Sequence, residues 1–143
     1  MGCDIHAHVE IKINGQWYYY APAEIKRNYA TFSKMAGVRG SYPPIASPRG
    51  LPGDISFMTQ YHSDNWGIDG HSHSWLNLDE LLELFDFFEN EIEYKPWGCE
   101  CDSMKWNEFG VWLFGNSIQG FKKYPSDCPA SLEDVRLVFW FDC

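Results

Sequence analysis

Two pairs of histidines with the spacing His-x-His are the residues of this sequence best suited to chemistry. His6 and His8 lie in the N-terminal stretch DIHAHVEIK, and His71 and His73 lie in the later stretch DGHSHSW. Residues two apart on an extended backbone point to the same face and are about 7 Å apart, so two imidazoles can converge on one centre. Neutral imidazole is a common protein ligand of transition metals, and carboxylates complete such sites. The two pairs therefore predict a shared centre for a metal or another ligand.

A divalent metal site, with zinc or manganese as the ion, is one interpretation of these pairs. Such an ion would activate water in a phosphoesterase-like hydrolase, and if the protein is an enzyme, His6 and His71 are its candidate catalytic residues. The alternative is that histidines on a half-exposed strand and at the start of a helix only hydrogen-bond to their neighbours. The candidate metal ligands are Asp4, His6, His8, Asp69, His71 and His73.

Arginines are concentrated in one turn-rich region of the chain. Three of the four, Arg27, Arg39 and Arg49, lie within 23 residues of one another and next to glycine-rich loops. The planar guanidinium binds phosphate or carboxylate through two hydrogen bonds, so this group predicts an anion pocket. The alternative is that each arginine pairs with one of the 20 acidic side chains at the surface.

Aromatic residues are expected beside the first pair of histidines. The N-terminal residues alternate between apolar and polar side chains, which predicts a strand with one buried face, and the Asn-Gly dipeptide at 14–15 predicts a hairpin turn. Pairing residues 9–13 with residues 16–20 puts Trp17 and Tyr19 on the face of the histidines. Such side chains can stack on a flat ligand such as a nucleobase. The candidate ligand-binding residues are Arg27, Arg39, Arg49, His6, His71, His73, Ser72, Trp17, Tyr19, Trp66 and Trp75.

Two segments have the periodicity of amphipathic helices. The spacing predicts helices over residues 22–37 and 78–90, and a short helix is expected between them near residues 54–62. The helix over residues 78–90 begins with a capping box, because Asn77 precedes Glu80 by three residues.

The remaining segments complete the predicted fold. Residues 38–74 are dense in turn-forming residues and predict a long functional loop. A strand pattern covers residues 110–118, and the C-terminal VRLVFWFD is apolar on both faces, as in a central strand. These elements predict a single α+β domain over residues 1–143. Its N-terminal β-hairpin and C-terminal strand share one mainly antiparallel sheet, which packs against two or three helices.

Composition and charge exclude several classes of function. The 20 acidic and 11 basic residues give a net charge of −9, which argues against binding of a nucleic-acid polymer. No apolar run reaches the roughly 18–20 residues of a membrane span, and the N-terminus has no secretory signal, so we expect a cytoplasmic protein with no membrane partner. An odd number of cysteines, five, without such a signal predicts reduced thiols, and Cys99 and Cys101 have no second pair with which to hold zinc. The sequence leaves open a homo-oligomer.

The chain resembles a family of short phage and bacterial proteins. The resemblance rests on the opening MGCDIH, the segments AGVR, PRGLP and HSHSWL, and the final VRLVFWFD, and these segments span nearly the whole chain. It implies a phage context, with a location in the cytoplasm of the host cell. The positions that match the family's segments are Asp4, His6, Arg27, Arg39, Arg49, Asp54, Asp69, His71, Ser72, Ser74 and Arg136.

Three functions are consistent with these residues. The first is binding of a small phosphorylated or nucleotide-like ligand, by analogy with small phage proteins that sequester the nucleotide signals of host defence. The second is the metal-dependent hydrolase, and the third is a module whose acidic surface binds a basic host protein. We rank the three in this order.

Overall fold

Four antiparallel strands form one sheet in the order β2-β1-β4-β3, accompanied by three helices in the described part of the chain. The computed structural model describes residues 2–23, 25, 27–90 and 132–143. This arrangement confirms the predicted α+β class. The elements are β1 (Asp4–Ile13), β2 (Gln16–Ala23), α1 (Tyr29–Ala36), α2 (Phe57–Asp64), β3 (Gly70–Asn77), α3 (Leu78–Asn90) and β4 (Leu132–Asp142).

The N-terminal hairpin forms where the Asn-Gly dipeptide predicts it. Asn14 and Gly15 have φ angles of 51° and 77°, the left-handed values that a type I′ turn requires at both central positions. The register is the predicted one over the four residue pairs nearest the turn. A bulge then shifts it, so that Val9 lies opposite Ala21 and its predicted pairing with Tyr20 is wrong.

The sheet has one apolar face and one polar, aromatic face. On the apolar face, alternate side chains of β1 and β4 pack against α1 and α3 and form the core. On the other face lie His6, His8 and Glu10 of β1, opposite Trp140 and Arg136 of β4. Because β4 is buried on both faces, it has the predicted character of a central strand. The core includes Ile5, Ala7, Val9, Leu137, Phe139, Phe141, Phe32, Met35, Leu81 and Leu84.

The first helix is shorter than the sequence predicts. β2 continues to Ala23, and α1 begins at Tyr29. Asn28 caps it, because its side-chain oxygen accepts a hydrogen bond from the backbone N–H of Thr31 at 3.0 Å. The prediction of a helix from residue 22 is wrong because Pro22 lies in β2, an edge strand of the kind that tolerates proline.

The other two helices agree with the prediction. α3 has the expected bounds, and its capping box is formed: the backbone N–H groups of Asn77 and Glu80 each donate to the other's side chain, at 3.0 and 2.9 Å. α2 lies close to the predicted position and is capped by Ser56. None of the helices in the described ranges is both long and apolar enough to span a membrane.

Residues 38–74 contain more regular structure than the predicted loop. They include α2, a 3₁₀ turn at Gly67–Asp69 and most of β3. The strand is not predicted because GHSHSWLN lacks the β-branched residues that are typical of strands. The strand predicted over residues 110–118 lies outside the described residues, as do Cys99 and Cys101.

A disulfide joins Cys3 to Cys143 at one end of the sheet. The two residues are neighbours in space because Asp4 of β1 pairs with Asp142 of β4. Cys3 is fully buried, and Cys143 is exposed. The prediction of reduced thiols is therefore wrong for this pair, since the number of cysteines in a chain does not reveal which of them the sheet brings together.

Candidate functional site

The polar face of the sheet carries three imidazoles around one buried indole. Trp140, in β4, is 1% exposed. Its ring centroid lies 6.0 Å from that of His6, 5.4 Å from that of His8 and 6.2 Å from that of His73. The arrangement follows from the strand order, because β4 lies between β1, which carries the first two histidines, and β3, which carries the third. Trp66 adds a second indole, which lies against the ring of His6. We call Trp140, His6, His8, His73 and Trp66 the tryptophan–histidine face.

The indole N–H of Trp140 is buried without a hydrogen-bond partner among the described residues. Such an unsatisfied donor costs about 1–3 kcal/mol and calls for a physical explanation. Gly70 lies above this edge of the ring: a Cβ at Gly70 would come within 3.5 Å of Trp140 Cδ1 and 3.4 Å of His73 Nε2. The closest contact of such a Cβ would be with Trp66 Cβ at 3.2 Å, so glycine at this position leaves room for Trp66 to pack beside His73 and Trp140.

His6 is held by a carboxylate and stacked on a second indole. Its Nε2 lies 3.0 Å from Oδ2 of Asp142, and its ring centroid lies 4.1 Å from that of Trp66. The side chains of His6 and Asp142 are 28% and 24% exposed, so both are accessible to a ligand. A carboxylate on one ring nitrogen orients an imidazole and fixes its tautomer, which leaves Nδ1 for another partner.

His8 lies deeper and is electrically neutral near pH 7. Burial, reinforced by the neighbouring His62, lowers its pKa from 6.5 to about 4. Its Nδ1 lies 3.2 Å from the Thr59 hydroxyl of α2, and its ring contacts those of Tyr19 and His62. The hairpin thus brings Tyr19 to this face as predicted. The partners from α2, Thr59 and His62, are not among the residues predicted from the sequence, because nothing in the sequence shows that α2 folds over β1.

A buried ion pair attaches the segment before α2 to the same face. Glu10, which is fully buried, accepts hydrogen bonds from Arg136 Nε at 2.9 Å and from the Ser56 backbone N–H at 3.0 Å. Arg136 also donates to Asp54 at 2.7 Å and holds its guanidinium 4.0 Å from the centroid of Trp17. Trp17 is therefore on the predicted face but is covered by an arginine. The ion pair fixes the start of α2, and with it Thr59 and His62, above the histidines.

The second histidine pair does not share a face. A bulge in β3 interrupts its register with β4 between His71 and Ser74, and Ser72 has a φ of 53° in the left-handed region. His73 therefore stacks on Trp140, while His71 turns to the apolar side, beside Phe141 and Cys143. The prediction that these two imidazoles converge is wrong, because it assumes a regular strand.

The two carboxylates predicted as metal ligands, Asp4 and Asp69, do not join the histidines in a metal site among the described residues. Asp4 is engaged by Arg27, whose hydrogen bond lowers the pKa of the carboxyl group below its usual value, and Asp69 is exposed on the 3₁₀ turn. Within the described residues, the group that could hold a metal ion is Cys3, His71 and Cys143, whose ligand atoms all lie within 4.8 Å of one another. This group shares only His71 with the predicted set.

Two of the three predicted arginines pair with acidic side chains on different elements, as in the alternative interpretation, and the three do not form one anion pocket. Arg27 pairs with Asp4 through two hydrogen bonds of 2.9 and 2.8 Å. Arg49 pairs with Glu80 of α3 and stacks on Trp75, with its guanidinium carbon 4.2 Å from the ring centroid. Arg39 is exposed, with a φ of 58°. Arg27 lies beside the tryptophan–histidine face through its partner Asp4, which precedes His6 on the same face of β1.

No protein-family model, curated protein or solved structure matches this chain. The resemblance to the phage family therefore stays a prediction.

Proposed function

We propose that the protein binds a small ligand with a flat heteroaromatic ring and hydrogen-bond acceptors, of the nucleotide class, at the tryptophan–histidine face. The indole N–H of Trp140, which has no hydrogen-bond partner among the described residues, carries this proposal. It is covered by its neighbours, so a ligand reaches it only when a covering side chain moves, and an acceptor atom of the ligand would then remove the cost of that buried donor. The imidazoles of His6 and His73 lie on either side of the same indole and offer further polar contacts.

Stacking supports a ring as the part of the ligand that enters the site. Trp66 is half-buried and its ring centroid lies 4.1 Å from that of His6, so part of its aromatic surface is exposed beside the histidine. A nucleobase stacked on an aromatic side chain gains about 1–3 kcal/mol whatever its identity, because every base has a π-face. Substitution of Trp66 should therefore weaken the binding of many nucleotides.

The charges around the site favour a ligand with few negative charges. Asp4 and Asp142 pair across β1 and β4 beside His6, and Arg27 is the cation next to them. Among the described residues beside His6, a triphosphate would meet the carboxylates of Asp4 and Asp142 and the guanidinium of Arg27, whereas a phosphodiester carries one charge per phosphate. Cyclic mononucleotides and cyclic dinucleotides are therefore the preferred classes, and sequestering such a signal is the corresponding cellular role.

Binding can be measured by titration calorimetry and thermal shift with cyclic mononucleotides, cyclic dinucleotides, nucleoside monophosphates and inorganic phosphate. We expect saturable binding of a cyclic nucleotide, with a rise in melting temperature that grows with the excess of ligand. The variant Trp66→Ala should weaken binding by about tenfold or more, as expected for the loss of one stacking contact.

Trp75→Ala is the matched control for that variant. Trp75 is also half-buried on β3, but Arg49 covers its ring, so its removal should leave nucleotide affinity unchanged. If no nucleotide binds at millimolar concentration, or if both tryptophan variants lose binding equally, the tryptophan–histidine face is not a nucleotide site.

Acid–base hydrolysis of the same ligand is a second candidate, favoured by the pair formed by His6 and Asp142. A carboxylate-oriented imidazole is a group that can accept a proton from water or donate one to a leaving oxygen. In that case the bound phosphodiester would be cleaved, and Asp142→Asn would lower the rate of cleavage more than the affinity. If the nucleotide is recovered intact after long incubation, binding alone is the function.

A further inference from the structure

We propose that Cys3, His71 and Cys143 form a zinc site when the disulfide is reduced. We call these three residues the cysteine–histidine cluster. The disulfide and the zinc ion are then alternative partners of the same two sulfur atoms. This site lies on the opposite side of the sheet end from the tryptophan–histidine face and does not depend on the function proposed for that face.

The three ligands come from three neighbouring strands at the same end of the sheet. Cys3 precedes β1, Cys143 follows β4, and His71 of β3 pairs with Phe141 of β4. Nε2 of His71 lies 3.0 Å from the sulfur of Cys143. Ligands held on adjacent strands of one sheet keep their spacing, which is the condition for a pre-organised metal site.

Only a small movement separates the two states. In a tetrahedral zinc site the metal–sulfur distances are about 2.3 Å, which puts two thiolates about 3.8 Å apart. Cys3 is fully buried and its backbone N–H donates to the Tyr29 hydroxyl at 3.1 Å, so Cys3 is fixed. Cys143 is exposed, so rotation of its side chain can open the space for the ion.

The hydrogen bond on the other side of His71 suits a metal ligand. Its Nδ1 lies 3.0 Å from the Ser72 hydroxyl. When Nδ1–H donates to that oxygen, the lone pair of Nε2 is directed at the sulfur atoms, and metal-bound histidines almost always have such an outer partner. The left-handed backbone of Ser72 turns His71 to this side of the sheet, which gives the bulge a chemical role.

The set of donors is of the Cys₂His type, which leaves one of the four positions of a tetrahedral zinc ion for water or another ligand. Thiolate and imidazole ligands favour zinc over magnesium or manganese. A zinc ion is therefore the occupant we propose, in place of the manganese that carboxylates would favour.

Interconversion requires a two-electron reductant, and a dithiol can serve as one. A thiolate of the reductant attacks the exposed sulfur of Cys143, the bond to Cys3 breaks, and a mixed disulfide forms. The second thiol of the reductant then attacks the reductant's own sulfur in the mixed disulfide and releases Cys143 as a thiol. The reductant ends as a cyclic disulfide, and the protein gains two electrons and two protons. Zinc binding releases the two thiol protons to solvent.

Cobalt titration of the full chain tests the site, because cobalt–thiolate bonds give a charge-transfer absorption that carboxylate or imidazole ligands do not give. The protein is reduced with a phosphine, freed of metal with a chelator and titrated with Co²⁺, after which Zn²⁺ is added. We expect one cobalt ion per chain with the thiolate band, displacement by one zinc ion, and no band in the oxidised protein. Absence of the band from the reduced protein, or its presence in the oxidised protein, would overturn the proposal.

Variants assign the ligands. Cys143→Ser, which changes an exposed atom, should abolish the band, and His71→Ala should weaken binding by about tenfold or more. The matched control is His73→Ala, because His73 has the same spacing in β3 but lies on the other face, so the band and the affinity should be retained. Circular dichroism verifies that each variant is folded.

The cysteines outside the described residues need their own control. The triple variant Cys99→Ser, Cys101→Ser and Cys128→Ser should keep the cobalt band and its affinity. If the band is lost in this triple variant but retained in Cys143→Ser, other thiols hold the metal and the cysteine–histidine cluster is not the site.

Discussion

The two His-x-His pairs have the same spacing, but the first pair shares one face of the sheet and the second pair is divided between two faces. His6 and His8 lie on a stretch of β1 with regular pairing to β4, and both contact Trp140 on the polar face. His71 and His73 lie on either side of a bulge in β3, and only the second contacts that indole. One pair therefore contributes two side chains to one surface, and the other contributes one side chain to each of two surfaces.

The difference lies in the residue between the histidines. Ala7 is buried in the core, which keeps β1 extended. Ser72 adopts a left-handed φ of 53° and hydrogen-bonds to the ring of His71. The His-x-His spacing therefore predicts a shared centre only when the backbone of the middle residue is extended.

The largest expected effect concerns the ion pair that fixes α2 above the β1 pair. Arg136→Met leaves Glu10 buried without its cation, which should lower the free energy of unfolding by about 3–5 kcal/mol in urea denaturation. Arg27→Met is the control, because it breaks an ion pair whose side chains are about half exposed, and it should change stability little. Similar losses from the two variants would show that the buried pair has no special role in holding the site.

His8, the more deeply buried member of the β1 pair, should make the stability of the protein depend on pH. Because the pKa of His8 is about 4 in the folded protein and 6.5 in the unfolded chain, the unfolded state binds more protons between these values. Stability is therefore fully present above pH 6.5 and falls as the pH drops toward 4, by at most about 3 kcal/mol. Urea denaturation across this range should reveal the slope, and His8→Gln should remove most of it.

His73→Gln is the comparison for that experiment. Burial, reinforced by His71, also lowers the pKa of His73, so this variant should remove a smaller part of the same slope. The carboxyl groups of Asp4 and Asp54, whose pKa values are lowered by Arg27 and Arg136, contribute at a lower pH, as stability falls with their protonation below about 4. A slope unchanged in His8→Gln would show that the imidazole of His8 titrates as it does in water.

Local patterns predicted the elements of this fold better than its site. The hairpin turn and the capping box of α3 depend on residues adjacent in sequence, and both are formed as predicted. The site depends on where α2 folds and on the bulge in β3. The many turn-forming residues of 38–74 do not indicate which strand α2 covers. The contacts of Thr59 and His62 with His8 therefore could not be predicted from the sequence.

The pairing of charges was equally hard to predict. Arg49 and Arg27 are close in sequence, but their partners, Glu80 and Asp4, lie on different elements, and so the predicted anion pocket is divided. The cysteine–histidine cluster joins residues 140 positions apart at its extremes, because the first and last strands are neighbours in the sheet. A prediction of strand order with β1 beside β4 would have been the signal for that cluster.

The smallest expected effect, and the most direct test of the comparison, is a glycine at the middle of each pair. Ala7→Gly should lower the free energy of unfolding by about 1 kcal/mol, because glycine weakens the interior of a strand. Ser72→Gly should leave stability unchanged or raise it by up to about 1 kcal/mol, since glycine adopts the left-handed backbone without strain and this gain offsets the lost contact with His71. Both are read from urea denaturation under oxidising conditions. Equal losses in the two variants would mean that β3 is as regular as β1 at this position, and the opposite faces of His71 and His73 would then have no backbone cause.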